Sequence, residues 1–136
     1  MNRYLLDTQA TVWLLINNDE FPRYLRDELT YGESMFYVSN LTIVEIVHLQ
    51  QCNKINLPIY GKDLIANFVR MNIYTVPLAD EILVRMSMLP MDRRFHSDPF
   101  DRAIIATAIS HGLTLVSSDG KFPWYVENGG LDLIEI

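Results

Sequence analysis

HSDPFDRAIIATAISHGLTLVSSD, residues 96–119, reads as a helix followed by a strand, with carboxylates at both ends of the unit. Asp98 and Asp101 stand where the helix begins. Pro99, between them, suits a first helical position, where its missing N–H costs nothing. Ile104, Ile105, Ala108 and Ile109 recur at helical spacing until His111-Gly112 ends the run. Leu113 to Val116 makes a short apolar strand, and Ser117-Ser118-Asp119-Gly120 leaves it as a turn. Acids at the mouth of an apolar α/β unit either cap helices or hold a cation.

The same alternation extends through the rest of the chain. Arg3 to Leu6 is a short strand ending at Asp7, and the run from Thr8 through Ala10, Val12, Trp13, Leu14 and Ile16 is helical until Asn17-Asn18-Asp19. A helix from Pro22 to Gly32 precedes a strand over Met35 to Val38. An apolar helix then carries Leu41, Val44, Ile46, Val47 and Leu49, with Glu45 embedded in it. Gly61 to Met71 reads as a helix, Ile73 to Val76 as a strand, and Pro77 with Ala79-Asp80-Glu81 opens a further helix. Past Asp119, Phe122 to Tyr125 reads as an aromatic loop, and Leu131 to Ile136 as a last edge strand. Strands alternating with helices predict an α/β fold with a largely parallel sheet, in one domain over residues 1–136.

In such a sheet, ligands bind outside the carboxyl ends of the strands, where helix N-termini also point. Asp7 ends the first strand, Asp119 follows a later one, Asp98 and Asp101 lie at a helix start, and Glu45 lies one turn into the helix after Ser39. Each acid also has a bland reading. Asp98 fits an N-cap, Asp98-x-x-Asp101 resembles a capping box, Asp7 suits the cap of the first helix, and Asp119-Gly120 is a common turn pair. Glu45, flanked by Ile43, Val44, Ile46 and Val47, resists such a reading, because an unpartnered carboxylate there would face a desolvation cost of several kcal/mol, although the polar Gln50 and Gln51 leave open an exposed stripe on its helix. The argument rests on the set of acids rather than on any member.

Bulk properties narrow the classes. Hydrophobic residues at 49% and charged residues at 21% argue for a folded chain and against disorder. A formal charge of −6 argues against bulk electrostatic capture of nucleic acid. Cation-binding carboxylates are counted in that charge, however, and a bound ion would reverse the local potential. A single cysteine, Cys52, allows no internal disulfide and fits a reducing cytosol. No apolar run approaches the roughly 18 residues of a membrane span, and the start of the chain lacks a signal-peptide layout, so the expectation is a cytoplasmic protein. There is no glycine-rich phosphate loop and no G-x-S-x-G elbow. His48, His96 and His111 lack zinc-ligand spacing. Asp7-Thr8-Gln9 lacks the second acid of a phosphatase D-x-D motif. Arg93, Arg94 and Arg102 gather beside the acids, where they either meet phosphates or neutralise carboxylates.

The chain resembles PIN-domain proteins, in particular the VapC-like ribonuclease toxins of bacterial toxin–antitoxin pairs. The resemblance is carried by Leu5-Leu6-Asp7-Thr8 with Trp13-Leu14-Leu15, Val38-Ser39 with Glu45-Ile46, His96-x-Asp98-Pro99-Phe100-Asp101-Arg102 with Ile105-Ala106-x-Ala108, and Leu115-Val116-Ser117-Ser118-Asp119 with the trailing Phe122. It implies a PIN-like three-layer α/β/α fold around a largely parallel sheet of four to five strands. It also implies a metal-dependent endoribonuclease using Mg²⁺ or Mn²⁺. By that resemblance the acidic pocket comprises Asp7, Glu45, Asp101 and Asp119, with Asp98 as an additional ligand. Ser118, Arg102, Arg93, Arg94 and His96 would meet the RNA. An antitoxin and a second copy of the chain are the implied protein partners, with no membrane. Gln9 departs from the pattern, standing where many relatives have His. The alternatives are a PIN nuclease of RNA processing or decay, and a PIN module that binds RNA or protein without cutting.

Overall fold

The computed structural model describes residues 1–91 and 98–136. Strands β1 (Arg3–Leu6), β2 (Met35–Ser39), β3 (Ile73–Val76), β4 (Thr114–Ser117) and β5 (Leu133–Glu135) form one sheet in the order β3-β2-β1-β4-β5. All four neighbouring pairs run parallel. Parallel neighbours need long crossovers, which helices supply. These are α1 (Thr8–Leu15), α2 (Arg23–Tyr31), α3 (Asn40–Gln51), α4 (Gly61–Arg70), α5 (Asp80–Met88), α6 (Pro99–His111) and α7 (Pro123–Gly129).

Side chains alternate across the sheet, so each strand feeds two cores. Tyr4 and Leu6 of β1, Phe36 and Val38 of β2 and Val116 of β4 join Val12, Ile46, Leu64 and Phe68 from α1, α3 and α4. On the opposite face Leu5 and Leu115 join Ile82 of α5, Ile104 and Ile105 of α6 and Tyr125 of α7. Leu5 and Leu6 are both fully buried, one in each core, and each contributes about 2 kcal/mol of apolar burial. The expected three-layer arrangement is therefore present, with five parallel strands.

The helix boundaries follow local chemistry. α6 ends at Gly112, whose left-handed backbone (φ 63°) lets the N–H groups of Gly112 and Leu113 reach back to the last carbonyls of the helix. The expected loop at Phe122 to Tyr125 is a correction. Pro123 opens α7 there, because a proline at the first helical position gives up only an N–H that the helix would leave unbonded. No helix of the described residues is long and apolar enough to cross a membrane.

The sheet order places the site. From β1 the chain crosses to β2 on one side, whereas β4 lies on the other side of β1. Strand order thus reverses between β1 and β4, and the crevice at their carboxyl ends is where α/β sheets of this kind bind ligands.

Candidate active site

β1 delivers Asp7 to this crevice. Asp7 is the N-cap of α1, with Oδ1 accepting from the Ala10 N–H at 2.8 Å. Its own N–H donates to the Val116 carbonyl at 3.1 Å, continuing the ladder to β4. The register pairs Leu6 with Val116, so the next residues, Asp7 and Ser117, come side by side. Ser117 is buried; its hydroxyl donates to Asp7 Oδ2 and accepts from the Asp119 N–H at 3.0 Å. One serine therefore ties together the two acids at the ends of adjacent strands.

Glu45 arrives from α3, on the same side of the sheet as α1. Thr8 at the start of α1 donates to Glu45 Oε1 at 2.9 Å and lies 3.4 Å from the Thr42 hydroxyl. Asp101 comes from the first turn of α6, beyond the other face of the sheet. Asp7, Glu45, Asp101 and Asp119 line a single cavity of about 370 Å³, together with Thr8 and Ser118. Val12, Leu49, Ile55 and Ile104 give this cavity an apolar wall, and Gln9 lies at it with an exposed side chain.

Electrostatics inside the cavity are set by burial and like charge. Asp7 is 7% exposed. Burial pushes its carboxyl up to about 6, aided by the charges of Asp101 and Asp119 and opposed by the hydrogen bonds from Ser117 and Ala10. Glu45 is raised too, first by burial and then by the charges of Asp101, Asp98 and Asp7, against the bond from Thr8. Among the described residues, no three His, Cys, Asp or Glu side chains close into a ready-made metal cluster. The donor set is nevertheless made wholly of hard oxygens. A magnesium-type ion takes only one or two carboxylates directly and fills its remaining positions with water. The residues present fit such an ion.

The other sequence expectations fall differently. Asp98 is a helix cap: its Oδ1 accepts from the N–H groups of Phe100 (2.9 Å) and Asp101 (3.1 Å), and its side chain is not part of the cavity wall. Its influence there is the charge that Glu45 feels. Arg102 does not face substrate. It is 6% exposed, and its guanidinium donates to the carbonyls of Pro90 (2.9 Å), Leu89 (3.2 Å) and Met86 (3.4 Å) and to the Tyr125 hydroxyl (3.1 Å). The arginine fork thus satisfies the carbonyls of Leu89 and Pro90, just past the end of α5, and shares that of Met86 with the Leu89 N–H. Arg93, Arg94 and His96 lie outside the described residues. Ser117 and Thr8 are the polar residues that sequence reasoning missed; the parallel pairing of β1 with β4 is the signal that finds Ser117.

The PIN domain family model matches residues 4–125. No curated protein matches the sequence significantly. Among solved structures, the chain is similar to one in DNA-bound VapBC from Salmonella typhimurium (TM-score 0.68, 17% identity, 99% of this chain and 98% of that one). It is also similar to one in VapBC2 from Rickettsia felis bound to a DNA fragment from their promoter (TM-score 0.67, 17% identity, 98% of both chains). A third likeness is to VapBC-5 from Mycobacterium tuberculosis, a member of the VapBC family of toxin–antitoxin systems (TM-score 0.58, 16% identity, 100% of both chains). At these identities the structures speak to the fold; the family model, covering most of the sequence, speaks to descent. This chain belongs to the PIN domain family.

Proposed function

We propose that the chain is a Mg²⁺- or Mn²⁺-dependent endoribonuclease, working as one domain over residues 1–136 and serving as the toxin of a toxin–antitoxin pair. The observation that carries this reading is the meeting of Asp7, Glu45, Asp101 and Asp119 in one cavity at the strand-order reversal. Family membership and a fold shared with VapBC proteins support it.

A divalent cation held there would supply Lewis-acid stabilisation of charge on the phosphodiester and a water of lowered pKa. Asp7 and Asp101 would be its principal holders. Glu45 and Asp119 would complete the oxygen set, directly or through water, and would either orient the attacking water or hold a second ion. Ser118, exposed at the cavity, offers a hydroxyl to a phosphate oxygen. Ser117 and Thr8 fix the carboxylates of Asp7 and Glu45, so each acid meets the cation in one rotamer. Removing such a support typically costs 10- to 100-fold in metal affinity. Ser117→Ala is accordingly expected to weaken Mn²⁺ binding by about tenfold in a calorimetric titration, with the circular dichroism spectrum unchanged.

The direct test is cleavage of single-stranded RNA by purified protein. Cleavage is expected with Mn²⁺ or Mg²⁺, is lost in EDTA and returns with excess Mn²⁺. Equal cleavage in EDTA would overturn the reading. Under the same reading a cognate antitoxin restrains the enzyme in the cytoplasm and the chain forms a homodimer, which light scattering on the purified protein reads directly.

A further inference from the structure

The cavity holds more than a cation site needs. Thr8, Glu45 and Asp101 are each followed on the same helix face by an apolar residue one turn on: Val12, Leu49 and Ile104. α1, α3 and α6 all begin at the carboxyl edge of the sheet. Val12 and Ile104 are buried in the two cores and close the floor beneath the polar side chains, so the accessible apolar wall is made by Leu49 and by Ile55, from the connection after α3. Leu49 is half-buried and, among the described residues, packs into neither core cluster. No lysine or arginine of the described residues lines the cavity. An apolar wall of this kind favours an uncharged group. At about 370 Å³ the space lies at the small end of ligand cavities, which run from about 300 Å³, and so suits one nucleotide rather than a helix or a duplex. Gln9, exposed at the same cavity, carries an amide with a donor and an acceptor in one plane, the pattern that pairs with a base edge.

We infer that this wall is a specificity subsite for one unpaired nucleobase next to the scissile phosphate. The base lies with its face on Leu49 and Ile55 and its edge against the Gln9 amide. The inference rests on the ribonuclease reading for its substrate. A base still stacked in a duplex cannot reach the wall, so the subsite restricts cutting to single-stranded segments, where bases are free to splay out.

Two arms test it. In the first, cleavage positions are mapped on a mixed-sequence single-stranded RNA for the parent and Gln9→Ala. The parent is expected to favour one base at the cut site by about tenfold, as good two-point contacts to a base edge do, and Gln9→Ala to flatten that preference while still cutting. In the second arm no cleavage is needed. Fluorescence anisotropy in Ca²⁺ compares a short RNA with the same RNA made abasic at the favoured position, or at each position in turn if nothing is cut. The parent is expected to bind the abasic strand about tenfold more weakly, in the range of single-base contacts, and Ile55→Ala to narrow that gap. An unchanged base profile in Gln9→Ala, or equal affinity for base-bearing and abasic RNA, would overturn the subsite. If the parent cuts no RNA, the nuclease reading fails by itself and the abasic comparison still decides the base subsite.

Discussion

Asp7→Asn is expected to abolish metal-dependent RNA cleavage and, at the same time, to raise the melting temperature of the metal-free protein. Both effects come from one carboxylate. Lining the cavity, Asp7 would be a principal holder of the proposed cation, and losing that grip should lower the rate by about 10³-fold or more. The same group is held folded at a cost. Its carboxyl is raised from an ordinary 3.8 to about 6, chiefly by burial, which corresponds to about 3 kcal/mol against the ionised form. The folded chain therefore retains a proton between these two values that the unfolded chain has already released. Stability should fall as pH rises from about 4 to about 6 and then level off, leaving the penalty fully present at neutral pH. Asn carries no charge to desolvate, still accepts from the Ala10 N–H, and can donate to the Ser117 hydroxyl. A gain of about 2 kcal/mol, or several degrees in melting temperature, is the expected result at pH 7.5, and it should shrink at pH 4.5. Mg²⁺ should stabilise the parent and leave the variant unmoved. An Asp7→Asn protein that melts lower than the parent at neutral pH would show that the buried charge is not the dominant cost.

The second large effect lies away from the acids. Arg102→Met is expected to destabilise the fold by about 3 kcal/mol and to lower the melting temperature by about 10 °C, because it strands the carbonyls of Leu89 and Pro90 just after α5. Arg102→Lys should recover little, since an ammonium cannot span partners on α5, the segment after it and α7 as a planar fork does. A substrate contact would behave oppositely, with an unchanged melting temperature and weakened RNA binding. Thermal denaturation of the two variants separates these outcomes.

Arg102 also shows where sequence reasoning stops. Beside Asp98 and Asp101 it reads as a charge near other charges, but its partners lie at Met86, Leu89, Pro90 and Tyr125, and only tertiary packing brings those carbonyls to it. The opposite holds for α6. Pro99 and Gly112 punctuate that helix by their own backbone constraints, so its bounds are legible without any partner. Pro123 carries the same constraint, yet Phe122 to Tyr125 around it reads as a loop from sequence alone. A proline marks a helix start as readily as its end, and the flanking aromatics carry no period to decide between them. The four cavity acids could be placed because Asp7 and Asp119 follow strands and Asp101 and Glu45 lie in the early turns of helices that begin at the carboxyl edge, which the α/β alternation alone fixes. Asp98 satisfies the same rule and, like Asp7, caps its helix, but its side chain is not part of the cavity wall. Ser117 was hidden for a further reason. With Ser118, Asp119 and Gly120 it reads as part of the turn that leaves the strand, and Ser118 as the hydroxyl beside the acid. Only the pairing of Leu6 with Val116 sets Ser117 beside Asp7.

The central claim is that acids from distant parts of the chain hold one divalent cation at the reversal between β1 and β4. Paramagnetic broadening by substoichiometric Mn²⁺ in the amide spectrum of the ¹⁵N-labelled protein tests it most directly. The account predicts that the signals of Thr8, Glu45 and Ser118 broaden first and together, and that Asp7→Asn combined with Asp101→Asn removes the effect. Broadening centred on another acidic stretch, such as Asp80-Glu81 at the start of α5, or unchanged in the double variant, would contradict it.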